Sequence, residues 1–192
     1  MNFLSFLIGA AVMAGLGWLI SRRFDFLAQS PEDYASGPEF DIRTILNGPL
    51  LCDGIIYGPT GRVASRFTAK FDAEWNGDKG VMREHFHYDS GTEQHREWRL
   101  SVGANGAIKA DADDLVGSGS GQQSGSGVKL TYRIKLPEGG GGHELDVVDW
   151  MYLLENGTIM NRSQFRKFGI KVGELVATMR PDPAAAERQE AA

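Results

Sequence analysis

The sequence predicts an all-β protein, in which one N-terminal transmembrane helix precedes an antiparallel β-barrel of about eight to nine strands. Three observations lead to this fold class. Glycine accounts for 25 of 192 residues, roughly twice its usual share of ~7%, and glycine disfavours helices. Apolar and polar side chains alternate along many segments, which is the period of a half-buried strand. Asn-Gly and similar pairs separate these segments at hairpin spacing.

The N-terminal helix is predicted from residues 3–20, an uncharged stretch with Ser5 as its one polar side chain. At ~1.5 Å per residue it spans ~27 Å, close to the apolar core of a bilayer. We therefore expect residues 1–20 to form a single-pass membrane anchor. A cleaved signal peptide is the alternative, but the stretch lacks a basic n-region and exceeds the usual length of about 7–15 residues. Arg22 and Arg23 follow the stretch and favour a cytoplasmic domain.

The segments on either side of the barrel have different patterns. Residues 21–36 show little periodicity and predict a tether. Residues 181–192 begin with two prolines and have no apolar face, which predicts a disordered tail. The β-barrel domain is therefore expected at residues 37–180, which hold every glycine outside the apolar stretch.

The clearest strand is predicted at residues 62–75, where Phe67, Phe71 and Trp75 share one face and charged side chains occupy the other. This charged face favours a soluble barrel over an outer-membrane barrel. Residues 117–127 contain only Gly, Ser and Gln and are expected to be a flexible loop or a glycine-kinked strand. Further strands are predicted at residues 81–88, 93–102, 108–116, 128–136, 144–154, 158–163 and 171–179.

Composition excludes several classes of function. The formal net charge of −5 leaves no excess of basic residues, so we expect no nucleic-acid partner. Cys52 is the single cysteine, which excludes an internal disulfide and a Cys-based zinc site. The sequence shows neither a Ser-His-Asp order nor a nucleophile elbow. We expect no cofactor.

A barrel of about eight strands is either filled by its own side chains or holds one small apolar ligand. Ligand cavities are usually apolar and aromatic with a few convergent polar groups. We expect such a cavity here, with Arg99 or Arg162 meeting a ligand carboxylate. The candidate ligand-binding residues are the aromatic and basic side chains Phe67, Phe71, Trp75, Phe86, Trp98, Arg99, Trp150, Tyr152 and Arg162.

Three carboxylates are candidates for acid–base chemistry. Glu84 and Glu97 lie on strands predicted to pair, and Asp149 lies in an otherwise apolar strand. If they converge inside the barrel, they form either an acid–base site or a set of structural ion pairs. Both arrangements shift the pKa values of carboxyl groups, so such a shift does not distinguish them.

Three histidines are predicted to cluster. His85 and His87 lie two residues apart on one strand, and His95 lies opposite them after the Ser90-Gly91 turn. Imidazoles in this arrangement suit a transition metal. We interpret the group as a partly exposed cross-strand patch and expect no metal, because no partner that would orient the rings is identifiable from sequence.

Several short motifs are spaced along residues 40–180, and through them the chain resembles the bacterial family called domain of unknown function 3833. The motifs are Asn47-Gly48, Asp53-Gly54, Gly61-Arg62-Val63, Trp75-Asn76-Gly77, Glu84-His85-Phe86-His87-Tyr88-Asp89-Ser90-Gly91, Arg96-Glu97-Trp98, Ala112-Asp113-Asp114-Leu115-Val116-Gly117, Asp149-Trp150-Met151-Tyr152, Asn161-Arg162 and Lys167-Phe168-Gly169-Ile170-Lys171-Val172-Gly173-Glu174.

The resemblance implies a lipocalin-like, calycin-type barrel, often attached to a membrane and encoded near fatty-acid-modifying enzymes. Lipid-modifying enzymes are therefore expected partners. Many relatives resemble exported lipoproteins, which favours the periplasmic side of the membrane for this domain. This chain departs from them because no cysteine precedes Cys52.

These observations combine into one leading hypothesis. The chain is expected to be a membrane-tethered barrel that binds a lipid or fatty-acyl ligand, in fatty-acid or membrane-lipid modification or in envelope maintenance. One alternative is an enzyme that acts on a lipid-like substrate through the barrel carboxylates. The other is a structural or interaction module with a filled core. Cavity volume is the simplest observation that discriminates among the three hypotheses.

Overall fold

The computed structural model of the chain describes residues 3–23, 26–138 and 141–185. Helix α1 spans Phe3–Arg23, 3-10 turns span Phe26–Ala28 and Pro31–Tyr34, and the short helix α2 spans Ile42–Ile45. Ten strands follow, namely β1 (Gly48–Tyr57), β2 (Val63–Asn76), β3 (Lys79–Tyr88), β4 (Glu93–Val102), β5 (Ala107–Asp111), β6 (Gly119–Ser124), β7 (Gly127–Lys135), β8 (Glu144–Leu153), β9 (Ile159–Lys167) and β10 (Ile170–Pro181).

The strands form a closed antiparallel barrel in which each strand pairs with its sequence neighbours and β1 pairs with β10. The predicted antiparallel barrel is confirmed, but it has ten strands, because β1 was not predicted and residues 117–127, expected to be a loop or a glycine-kinked strand, contain β6. Strand β6 lies within residues 117–127, so the glycine-rich run contains a paired strand. Closure leaves no strand edge exposed, which removes a template for aggregation.

Alternation along the strands decides which side chains enter the barrel. In β2, Phe67, Ala69, Phe71 and Ala73 are buried, while the residues between them are exposed. This alternation was predicted from the sequence of residues 62–75. The buried side chains of all strands join one hydrophobic core, and its composition of aromatic, aliphatic and small residues fits a barrel interior.

Helix α2 covers one end of the barrel, which we call the closed end. Asp41 caps the helix by accepting a hydrogen bond from the Arg43 backbone N–H at 3.0 Å, a usual role for Asp at this position. Ile42 and Leu46 are buried against the barrel core. The Trp75 Nε1–H donates to the Leu46 carbonyl oxygen at 2.7 Å and fixes the end of the helix.

Residues 26–36, which we call the strap, lie on the outside of the barrel. The Ser126 N–H donates to the Tyr34 carbonyl oxygen at 2.9 Å, and Lys129 Nζ donates to the Gln29 carbonyl oxygen at 3.0 Å. Phe26 is buried. This part of the tether predicted at residues 21–36 is therefore packed against the barrel.

The predicted membrane anchor and tail are described only in part. Within the described ranges, no helix combines the length and the apolar character needed to cross a membrane. Of the predicted tail, Pro181 is the last residue of β10 and residues 183–185 form a helical turn. Residues 1–2 and 186–192 of the predicted anchor and tail lie outside the described residues.

Candidate functional site

The barrel encloses a cavity of about 670 Å³. It extends from Ile42 and Leu46 at the closed end to the opposite end, where residues Thr92, Lys135 and Pro137 border it. We call this opposite end, which lies away from α2, the open end. The volume lies within the ~300–1,000 Å³ typical of small-molecule sites. The interior is hollow, so the sequence alternative of a filled core does not describe this barrel.

Four of the predicted ligand-binding residues line this cavity, namely Phe67, Phe71, Phe86 and Trp98. Phe86 contacts both phenylalanines of β2 edge-to-face, with ring centroids 5.3 Å from Phe67 and 5.4 Å from Phe71. This geometry is favourable for aromatic pairs and holds the rings in place. The wall therefore presents a rigid aromatic surface to the cavity.

A polar cluster interrupts the apolar wall. We use this name for Glu84, Arg96, Tyr132 and Asp149, which all line the cavity. Glu84 and Arg96 are direct cross-strand partners on β3 and β4. The Arg96 guanidinium lies over the Trp98 ring, with its Cζ atom 4.0 Å from the ring centroid, and its Nε is 2.9 Å from a carboxylate oxygen of Asp114.

Two atoms of the polar cluster have unused hydrogen-bonding capacity. Glu84 Oε2 and Arg96 Nη2 are buried, and neither has a hydrogen-bond partner among the described residues. Leaving a buried polar atom unsatisfied is unfavourable by about 1–3 kcal/mol, and by more for a charged group. Each of these atoms is therefore able to bind a water molecule or a polar group that enters the cavity.

Asp149 is held by its neighbours inside the barrel. One carboxylate oxygen accepts hydrogen bonds from Asn161 Nδ2 at 2.5 Å and from Ser163 Oγ at 2.7 Å. The Tyr132 hydroxyl lies 3.5 Å from the other oxygen. Asp149 therefore has the donors that its burial requires.

Burial changes the acidity of both interior carboxyl groups. It raises the pKa of Glu84 to about 7, although the nearby positive charge of Arg96 opposes the shift. Burial also raises the pKa of Asp149, against the hydrogen bonds from Ser163 and Asn161. Glu84 therefore exchanges its proton near neutral pH, as a general acid or base would.

The structure places Glu97 and Arg99 outside the cavity. Both lie on the outer face of β4, where Glu97 pairs with Arg83 at 3.5 Å and with Arg99 at 3.6 Å. Arg99 also binds Asp113 at 2.7 Å. These positions correct the expectation that Glu97 joins Glu84 and that Arg99 meets a ligand inside the barrel.

Trp150, Tyr152 and Arg162 also lie on the outer face. Trp150 is fully buried because the strap covers it, with the Tyr34 ring centroid 5.3 Å away. The Tyr152 hydroxyl donates to Gln29 Oε1 at 3.0 Å. Arg162 pairs with Glu174 and lies with its Cζ atom 4.9 Å from the Phe26 ring centroid. These three predicted ligand-binding residues therefore hold the strap and do not line the cavity.

Trp75, the remaining predicted ligand-binding residue, is absent from the cavity lining. Its ring packs over Gly80 on the neighbouring strand, where a Cβ atom would approach the ring to 2.6 Å. Together with its hydrogen bond to Leu46, this contact gives Trp75 a role in fixing the closed end.

The three predicted histidines lie together on the exterior. His85 and His95 are cross-strand partners whose rings stack with centroids 4.1 Å apart, and both are exposed. Glu93 joins them, with Oε2 3.1 Å from His85 Nε2 and Oε1 3.5 Å from His87 Nδ1. The expectation of a partly exposed cross-strand patch agrees with this arrangement.

Sequence reasoning missed Arg96 and Tyr132 as site residues. The sequence does contain a signal for Arg96. Residues two apart on a strand share a face, and Trp98 was expected to point into the barrel. The same parity excludes Arg99, which is adjacent to Trp98. Asn161 and Ser163 have no comparable signal, because their importance arises from the register of β9 against Asp149.

Comparison with known proteins supports the fold and establishes the family. Among solved structures, the barrel is similar to the S-type phycobiliprotein lyase CpeS from Guillardia theta, with a TM-score of 0.54 and 7% sequence identity. The alignment covers 80% of this chain and 98% of the lyase, and at this identity it shows the fold alone. A search of curated proteins found no match. The family model described as "Protein of unknown function (DUF3833)" matches residues 24–181, and the chain belongs to this family.

Proposed function

We propose that this protein binds an amphipathic lipid or fatty-acyl ligand inside the barrel. The observation that carries the proposal is the cavity of about 670 Å³, whose apolar wall contains the unpartnered atoms Glu84 Oε2 and Arg96 Nη2. An apolar chain is favoured by the aromatic wall, and each buried CH₂ group contributes about 0.8 kcal/mol. A polar head group completes the hydrogen bonds of the polar cluster.

The polar cluster fits a carboxylate or a carbonyl head group. Arg96 donates through its free Nη2, while its Nε remains bound to Asp114. Because the pKa of Glu84 is about 7, its protonated carboxyl group is available at neutral pH to donate a second hydrogen bond to the same oxygen acceptor. A bound carboxylate raises this pKa further, because like charges disfavour ionisation.

The open end supports a membrane as the source of the ligand. The turn between β9 and β10 exposes Phe168 and Ile170 to 91% and 70%, and Lys167 and Lys171 flank them in the sequence. Phe168 has φ = +52°, an unfavourable conformation for a bulky residue. An apolar tip flanked by lysines suits the interface of an anionic bilayer. Exposed apolar side chains of α1, such as Phe6 and Trp18, support attachment to the same membrane.

The experiment that tests the proposal is titration of the full-length protein with a fluorescent fatty acid. We expect Arg96→Met to weaken binding by about 10- to 100-fold, the effect of losing one hydrogen bond to a charged group. Arg99→Met is the matched control, because Arg99 lies on the outer face of the same strand. Circular dichroism checks that both variants are folded. Equal affinities of the two variants would contradict the placement of the head group at Arg96.

Catalysis is the second candidate function, and the properties of Glu84 support it. A carboxyl group with a pKa of about 7 and one free oxygen is suited to proton transfer in an accessible cavity. Incubation with an acyl ester, followed by chromatography, separates the two functions. Release of free acid by the wild type but not by Glu84→Gln indicates an enzyme. An ester that both proteins bind and leave intact indicates a binding protein.

A further inference from the structure

Four side chains on the outer face of β3 and β4 form a compact group, which we call the histidine patch. It consists of His85, His87, Glu93 and His95. Its members are two direct cross-strand pairs, His85 with His95 and His87 with Glu93. The chain contains four histidines in total, so this one patch holds all of them except His143. The patch is separate from the polar cluster, because alternation along β3 and β4 places it on the opposite face of the sheet.

The donor atoms of the patch already lie close together. One ligand atom from each of His85, Glu93 and His95 lies within 4.8 Å of the other two. In a tetrahedral site with bonds of about 2.0–2.1 Å, ligand atoms are roughly 3.4 Å apart. The required approach is small for exposed side chains, which reach it by rotating about their side-chain bonds. The two imidazole rings also lie side by side, stacked at an interplanar angle of 16°.

The chemistry of these donors is specific. Imidazole nitrogen with one carboxylate oxygen suits Zn²⁺ and Cu²⁺ rather than Mg²⁺ or Ca²⁺, which prefer oxygen ligands alone. Glu93 contacts both His85 and His87, so its carboxylate is placed to coordinate an ion or to orient a ligating ring. Lys70 is the cross-strand partner of His85 on the β2 side, and its long exposed side chain is free to extend into solvent, away from a bound cation.

We propose that the histidine patch binds one divalent transition-metal ion, with His85, His95 and Glu93 as ligands and His87 as a fourth donor. The metal bridges β3 and β4 next to their connecting turn. Glu93 and its neighbours Thr92 and Gln94 also border the open end of the cavity, so the bound ion stiffens one side of the entrance. This proposal does not rest on the lipid ligand, because its donor atoms belong to the exposed patch and not to the polar cluster.

The test is titration of the full-length protein with Co²⁺, followed by displacement with Zn²⁺ in competition with a chromophoric chelator. We expect one equivalent of Co²⁺ to produce the visible bands of a tetrahedral site and Zn²⁺ to remove them. His85→Asn and His95→Asn should each weaken binding by at least about tenfold, since losing even an outer partner of a metal ligand has an effect of that size.

The matched control is His143→Asn, which removes the histidine outside the patch. Its affinity for Zn²⁺ should stay within about twofold of the wild type, because imidazoles far from the ion do not ligate it. All three positions are exposed, so the substitutions leave the fold intact, and circular dichroism verifies this. The proposal is overturned if the wild type gives no tetrahedral Co²⁺ bands, or if His95→Asn and His143→Asn bind Zn²⁺ equally well.

Discussion

Glu84 illustrates how a single residue couples the stability of this barrel to its site. The folded protein holds the Glu84 proton more tightly than the unfolded chain does, because its pKa rises from 4.5 to about 7 on folding. The contribution of this group to stability is therefore complete below pH 4.5 and is lost as the pH rises through about 7. The size of the shift corresponds to about 3 kcal/mol in the free energy of unfolding.

Replacing Glu84 with Gln should remove the dependence of stability on pH that this carboxyl group causes. Gln mimics the protonated acid, so Glu84→Gln should be more stable than the wild type at a pH above 7, by up to about 3 kcal/mol. The difference should shrink towards pH 4.5. Thermal unfolding across this range measures it. Glu97→Gln is the control, since the Glu97 side chain is partly exposed on the outer face and its ion pairs contribute little. A stability difference that stays constant with pH would contradict the burial of an ionisable Glu84.

Parity along the strand also explains which site residues were predictable. Phe67 and Phe71 belong to a strand in which one face is apolar and the other charged, so their inward position followed from sequence. Strand β8 has no such contrast, because Asp149 with Met151 and Trp150 with Tyr152 give each face apolar character. The strap covers the outer pair, and no local pattern within β8 reports that a distant segment packs there.

At the level of elements, the glycine-rich run around β6 serves the strap. Gly127 allows Tyr34 to pack directly on the barrel, since a Cβ atom at Gly127 would lie 2.9 Å from Tyr34 Cβ. Gly125 has φ = +51°, and a Cβ atom there would meet the Tyr34 carbonyl oxygen. The composition of this run predicts a loop or a kinked strand. It does not predict that the strap packs on the run, because that contact depends on tertiary structure.

Gly127→Ala should therefore loosen the strap. We expect a loss of about 1–3 kcal/mol in the free energy of unfolding, the usual effect of overpacking, with faster proteolysis within residues 26–36. Limited proteolysis with mass spectrometry locates the cleavage. Gly58→Ala is the control, because a Cβ atom at Gly58 has ordinary contacts. Equal cleavage of the two variants would show that the packing of Tyr34 does not require glycine at position 127.

The hairpin that joins β9 to β10 is the second element with a testable role. Full-length Phe168→Cys, labelled with an environment-sensitive fluorophore, should shift to shorter emission wavelengths in vesicles that contain phosphatidylglycerol. Cys52 is buried and does not compete for the label. Leu154→Cys is the matched control, since Leu154 is an exposed apolar residue in the turn between β8 and β9 at the closed end. Equal shifts at the two positions would contradict insertion by the open end.

In the whole molecule, the two ends of the barrel differ: one is covered by α2, and the other borders the cavity. Helix α2 covers one end with Ile42 and Leu46, and the strap reinforces the outer face of the barrel. The opposite end carries the exposed hairpin and borders the cavity. A core that is apolar but incompletely filled loses packing contacts. The ligand that we propose would offset this loss of stability by occupying the cavity.

The most direct test of a ligand-binding barrel is to extract the purified full-length protein with organic solvent and identify lipids by mass spectrometry. Ala177→Trp is the comparison, because Ala177 lines the cavity and the large ring would occupy the space of a ligand. Thr68→Trp, on the outer face of β2, controls for the substitution itself. All three proteins keep α1, so any lipid held outside the barrel is common to them. We predict that the wild type and Thr68→Trp retain a stoichiometric acyl ligand that folded Ala177→Trp lacks. Equal lipid content in the three proteins, or none in the wild type, would contradict a ligand-binding barrel.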